Sequence, residues 1–176
     1  NNLKVFNAEK IDSQGGSIRC YICKKNNLQK ISPKIKLILN EEAQLGLYSS
    51  SKLKSFKNKI LYHISAMQFL IKNLKNKKKR ISVYGASGKG QALLQYCNLD
   101  NKKIDYVFDK SKLKQNCYTP GTHIKIKRPS DIKKTKTHYL LILSWNIKDE
   151  IMKQENDFLK NGGKFIIPFP RPRVIN

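Results

Sequence analysis

The segment SVYGASGKGQALLQYC, Ser82 to Cys97, passes from an apolar strand-like run into three glycines and then into helix-like sequence. A strand, a glycine loop and a helix in that order is where nucleotide folds place a phosphate. Backbone amides at a helix N-terminus point outward, and the helix dipole favours an anion there. The loop Gly85-Ala86-Ser87-Gly88-Lys89-Gly90 has the spacing G-x-x-G-x-G. That departs from G-x-G-x-x-G, and it is too short for an ATP-hydrolysing P-loop. A tight turn with no ligand would use the same glycines.

Working outward, the alternation continues. Arg80 to Tyr84 reads as a strand, Gly88 to Tyr96 as a helix, and Lys103 to Phe108 as a strand closed by Asp109. His123 to Ile126 is a short extended piece, and Pro129 to Asp131 opens a helical turn. Tyr139 to Leu143 is apolar throughout, the look of a buried parallel strand. Asn146 to Leu159 reads as a helix stopped by Gly162-Gly163, and Phe165 to Ile167 as the last strand. The tail from Pro168 to Arg173 is too rich in proline to continue a sheet. Alternating elements predict an α/β class: a Rossmann-like, mostly parallel sheet with helices on both faces.

Upstream, Lys4 to Phe6 and Ile18 to Ile22 read as strands around Gly15-Gly16, an N-terminal β-hairpin. Leu53, Phe56, Ile60, Ile64, Met67, Ile71 and Leu74 recur at spacings of three and four, the apolar stripe of a long helix. Ser49 or Ser50 would cap it, and the basic run Lys75 to Arg80 suits its C-terminus. The expected organisation is residues 1–30 as terminal strands of a preceding domain, 31–78 as a helical connector and 79–176 as the Rossmann-like domain.

Asp109 closes the second strand about twenty residues after the loop, where an acidic residue commonly meets a ribose hydroxyl; it would equally serve as a strand-end cap. Trp145 and Asn146 end the apolar strand at the same sheet edge, where open parallel sheets bind ligands. The indole could cover a base or sugar, or plug the sheet end.

The formal charge is +24 over 176 residues, which raises a nucleic-acid partner. The basic residues are overwhelmingly lysine and spread along the chain, whereas phosphate-reading surfaces favour the arginine fork. Nucleic acid is therefore not the expected partner, and a standalone basic nucleic-acid-binding module stands as the alternative. Cys20 and Cys23 have C-x-x-C spacing without a second pair. On a strand they fall on opposite faces, and they read as ordinary core thiols, with no metal site. No run approaches the ~18–20 apolar residues of a membrane span. Reduced thiols and the absence of a signal peptide fit a cytoplasmic protein. Because the chain opens on Asn1, it is read as part of a longer protein.

Taken together, YGASGKGQALLQYC, IDYVFDKSKLKQNCYTPGTHIKI, LLILSWNIKDEI and GGKFIIPFP resemble the C-terminal domain of the S-adenosylmethionine-dependent sugar C-methyltransferases, which act on nucleotide-linked keto-deoxysugars. VFNAEKIDSQGGSIRCYI resembles the end of that family's methyl-donor domain. The resemblance implies a zinc module, a methyl-donor domain and a Rossmann-like domain that helps hold the nucleotide-sugar. It implies S-adenosylmethionine as cofactor of the full-length enzyme, with none bound to these residues. The zinc cysteines, the methyl-donor motif and the Glu-His base would lie upstream of Asn1. No catalytic residue is then expected here, and the fragment alone would be inactive. Substrate contacts are expected from Gly85, Ala86, Ser87, Gly88, Lys89, Gly90, Asp109, His123, Trp145 and Asn146, with His123 shaping the loop near the substrate. Ser87 and Ser144 stand where small or proline residues are common in the family. A homodimer, or a separate chain carrying the methyl-donor domain, is the expected assembly.

Overall fold

The computed structural model describes residues 1–176, which form two compact units, 1–58 and 59–176. In the first, strands β1 (Leu3–Ile11) and β2 (Ser17–Lys24) pair antiparallel. The turn at Gly15-Gly16 lies where the sequence places it, and a bulge interrupts the register between Val5 and Asn7. Helix α1 (Pro33–Gln44) follows, with Ser32 as N-cap accepting from the Lys34 amide. It is held to β1 by the Ser32 amide donating to the Phe6 carbonyl and by an ion pair between Lys10 and Glu41.

Cys20 is exposed and Cys23 half-buried, so neither is a core thiol. The reason is that both sit on β2, whereas α1, the layer that covers this hairpin, is held to β1.

Helix α2 (Ser50–Asn76) begins where the stripe predicts, and the Ser49 carbonyl accepts the Leu53 amide. Met67, Ile71 and Leu74 are buried in the second unit, whereas Leu53 and Phe56 on the same stripe are exposed. The basic run after the helix is partly absorbed by Asp105, which lies 2.9 Å from Arg80 Nε and 3.7 Å from Lys75 Nζ.

The second unit is a six-stranded sheet in the order β5-β4-β3-β6-β7-β8. Its strands are β3 (Ile81–Tyr84), β4 (Val107–Phe108), β5 (Ile126–Lys127), β6 (Tyr139–Ile142), β7 (Lys164–Ile167) and β8 (Arg173–Ile175). The first five are mutually parallel and β8 is antiparallel to β7. The chain therefore steps from β3 outward to β4 and β5, then crosses back to β6 on the other side of β3. That reversal is the topological switch point of a doubly wound sheet.

Side chains alternate as strand geometry requires. Ile81, Val83, Leu141 and Ile166 face one core with Met67 and Ile71 of α2, Leu93 and Leu94 of α3 (Gly88–Tyr96) and Cys97 just after it. Tyr84, Leu140, Ile142, Phe165 and Ile167 face the other with Ile132, Ile151 and Phe158. Burial disfavours ionisation on both faces: the Tyr84 hydroxyl, which accepts from Gln154 Nε2, is pushed well up, and the Cys97 thiol is pushed up to about 11.

Three details differ from the sequence reading. The strand expected from Lys103 pairs only over Val107–Phe108, because residues 101–103 form a turn. The helix expected over Asn146 to Leu159 is a 3-10 turn, then α4 (Lys148–Gln154) and α5 (Asn156–Lys160), broken at Glu155. The proline-rich tail turns back, with a cis Phe169-Pro170 bond, and its end pairs with β7 as β8. Prolines block the ladder where they stand, and pairing resumes at Arg173 beyond them.

Met67→Ala should cost about 2–5 kcal/mol by leaving a cavity, whereas Leu53→Ala on the exposed part of the stripe should cost under about 1 kcal/mol; urea melts compare them. Native alkylation at pH 8 should label Cys20 and Cys117, which are exposed, and spare Cys97 until the fold is melted, as read by mass spectrometry.

Candidate functional site

Gly85 ends β3 with φ 94°, in the region that favours glycine. A Cβ there would come 2.7 Å from Ser144 Oγ, so the loop leaves β3 pressed against the end of β6. Gly90 is constrained by packing instead, since its Cβ would lie 2.6 Å from Leu143 Cβ. Gly88 has open space around it. The three glycines thus do different things: one turns the chain, one lets α3 approach the sheet, and one starts the helix.

Ser87 caps α3 by accepting from the Gly90 amide at 3.1 Å. The amide of Gly88, in the first helical position, has no intrahelical acceptor by the geometry of a helix start. Asp109, at the end of β4, accepts from the Ala86 amide at 2.6 Å through one oxygen and from the Ser111 amide at 2.8 Å through the other. It therefore fixes the shape of the glycine loop from the neighbouring strand. Lys114 Nζ donates to the Ala86 carbonyl at 2.9 Å and lies 3.8 Å from the Asp109 carboxylate.

A cleft of about 510 Å³ opens between α3 and the segment following β4. Ala86, Ser87 and Gly88 form one wall; Gln91 and Gln95 of α3 extend it, with Lys114, Tyr118 and Pro120 opposite. The two walls are stitched together. Gln91 Nε2 donates to the Pro120 carbonyl at 2.6 Å and to Thr122 Oγ1 at 3.0 Å, and Gln95 Nε2 reaches Pro120 at 3.1 Å.

The fold brings Gly85 to Gly90 and Asp109 together. It places the other expected residues elsewhere. His123 is exposed, at φ 51°, and its amide donates to the Thr119 carbonyl, closing the turn of that segment. Trp145 and Asn146 follow β6 rather than lining the cleft. The indole packs on Phe169 with centroids 4.5 Å apart. Phe169 in turn stacks on His63 at 4.4 Å, whose Nε2 donates to the Pro168 carbonyl at 2.7 Å. Lys114, Gln91 and Gln95 lie inside the quoted segments, but no spacing or residue pattern there singles them out.

A family model described as the C-methyltransferase C-terminal domain matches residues 12–170. The chain belongs to that family. C-methyltransferase NovU of Streptomyces niveus is 32% identical over 174 residues, which is 99% of this chain and 41% of that protein. The chain thus spans about two-fifths of the length of this relative. Among solved structures, UDP-D-quinovosamine 4-dehydrogenase from Vibrio fischeri is similar over 56% of this chain and 93% of its own, with 17% identity and a TM-score of 0.41.

For a C-methyltransferase C-terminal domain, the charge of the cleft is telling. Its lining carries one charged side chain, Lys114, and no carboxylate. That donor set suits an anion.

Asp109→Ala should leave the Ala86 and Ser111 amides without their acceptor and cost about 1–3 kcal/mol; Asp109→Asn, which keeps one accepting oxygen, should lose less. Chemical denaturation of the two variants checks the order.

Proposed function

We propose that the 59–176 unit holds the nucleotide-linked sugar for an S-adenosylmethionine-dependent sugar C-methyltransferase working in the cytoplasm. The observation that carries this reading is the anion-suited cleft at the mouth of the glycine loop, in a chain of the C-methyltransferase C-terminal domain family. The diphosphate rests at the start of α3 against the Gly88 and Lys89 end of the loop, and Gly85, Ser87 and Gly90 set the loop's path. Asp109 acts by fixing Ala86. Trp145 and Asn146 lie outside the cleft lining and meet the ligand only where it runs past Gly85 toward Ser144, and His123 shapes the segment that faces α3.

The chemistry of such an enzyme is removal of a proton from the carbon beside a ketone, then methylation of the enolate, which requires a general base. None of the three histidines lines the cleft. His63 is tied to Pro168, His138 Nδ1 accepts from the Arg80 amide at 2.9 Å, and His123 is exposed. In this reading these residues bind and orient substrate. The base and S-adenosylmethionine belong to a methyl-donor domain whose terminal strands are residues 1–30, with 31–78 as connector, carried by the same chain or by a separate one. Membrane insertion has no support from the helices, none of which is long and apolar enough to cross a bilayer.

Gly88→Asp tests the reading. The new side chain meets nothing within 4 Å, and a carboxylate in the first turn favours the helix, so the fold should persist. Its charge should weaken UDP- or TDP-hexose binding by at least about tenfold, ~1.4 kcal/mol, in calorimetric titration. Flat wild-type traces with both nucleotide-sugars would sink the proposal. Tight oligonucleotide binding that falls by roughly 10³–10⁵ between 50 and 200 mM salt would favour a nucleic-acid module instead.

A further inference from the structure

Resting on that reading, we infer that Lys114 is the residue whose charge meets the diphosphate in this cleft. A nucleotide-sugar diphosphate is a dianion, and backbone amides with a helix dipole offer only partial positive charge. Lys114 is the one charged side chain in the cleft lining. Its ammonium is carried over the glycine loop by the segment after β4, and it is held there by the Ala86 carbonyl at 2.9 Å and the Asp109 carboxylate at 3.8 Å. An ammonium has three donors; the Ala86 carbonyl takes one, and Asp109 attracts the charge from 3.8 Å without a hydrogen bond.

The side chain is 45% exposed, so its remaining donors have room to turn toward a ligand. Asp109 thereby has a double effect: it pins the Ala86 amide and it steers the lysine. The positive charge is built from two strands' ends, and sequence spacing between Gly88 and Lys114 carries no trace of it.

Calorimetric titration of the 176-residue chain with UDP-glucose, TDP-glucose, uridine and thymidine tests this. Lys114→Met should weaken both nucleotide-sugars by about tenfold or more, as loss of a charge-assisted contact does, and leave any nucleoside binding within about threefold. Lys114→Arg should keep affinity within about threefold. Lys112→Met, on the same segment and outside the cleft lining, should bind as wild type and controls for net charge.

Equal affinity of Lys114→Met and wild type would overturn the inference. So would a parallel loss of nucleoside and nucleotide-sugar, which marks a merely structural lysine, or an equal loss in Lys112→Met. If Gly88→Asp weakens binding while Lys114→Met does not, the inference alone falls. If wild type binds no nucleotide-sugar, the functional reading falls with it.

Discussion

The close passage of α3 over the end of β6 constrains the rest of the second unit. At Gly90 there is no room for a Cβ before Leu143, so the helix can settle low on the sheet only with glycine there. That contact aims the helix start, and with it the Gly88 amide, at the carboxyl edge where the strand order reverses. Gly85 turns the chain out of β3 against Ser144, and Asp109 reaches from β4 to hold Ala86. Three adjacent strands thus fix one loop. Each contact is modest by itself, about 1–3 kcal/mol for a buried polar partner or an over-packed methyl. Together they make the loop a rigid part of the sheet edge.

Charge is distributed with a similar economy. The chain's excess of lysine is mostly solvated surface, yet a few cations are given definite work. Asp105 gathers Arg80 and Lys75 at the start of the sheet, and Lys127 lies 3.7 Å from the centroid of the Tyr106 ring. Lys114 sits at the opposite edge beside Asp109. A net charge of +24 therefore says little by itself about partners; position on the sheet says more.

Much of this was legible in the sequence for a physical reason. Tyr139 to Leu143 is apolar at every position because both faces of β6 are covered, and the alternation of strands with helices forces parallel pairing. The α2 stripe was readable because its spacing is helical, although only its lower half meets a core. Helix α1 gave no such signal, since Ile35, Leu37, Ile38 and Leu39 form no clean stripe and none of the helix is buried. β8 was hidden by prolines that interrupt the chain just before it pairs. At the site, glycines betrayed the loop and a strand end betrayed Asp109. The partners Asp109 takes, and the arrival of Lys114, depend on how the segment after β4 folds back, which no local pattern encodes.

The aromatic cluster of His63, Phe169 and Trp145 has a spectroscopic corollary. Trp145 is the sole tryptophan, and it belongs entirely to the 59–176 unit. Indole emission consequently watches the Rossmann-like half and is blind to the hairpin with its short helix. A thermal scan by fluorescence and one by far-ultraviolet dichroism will trace different events whenever the two halves come apart at different temperatures.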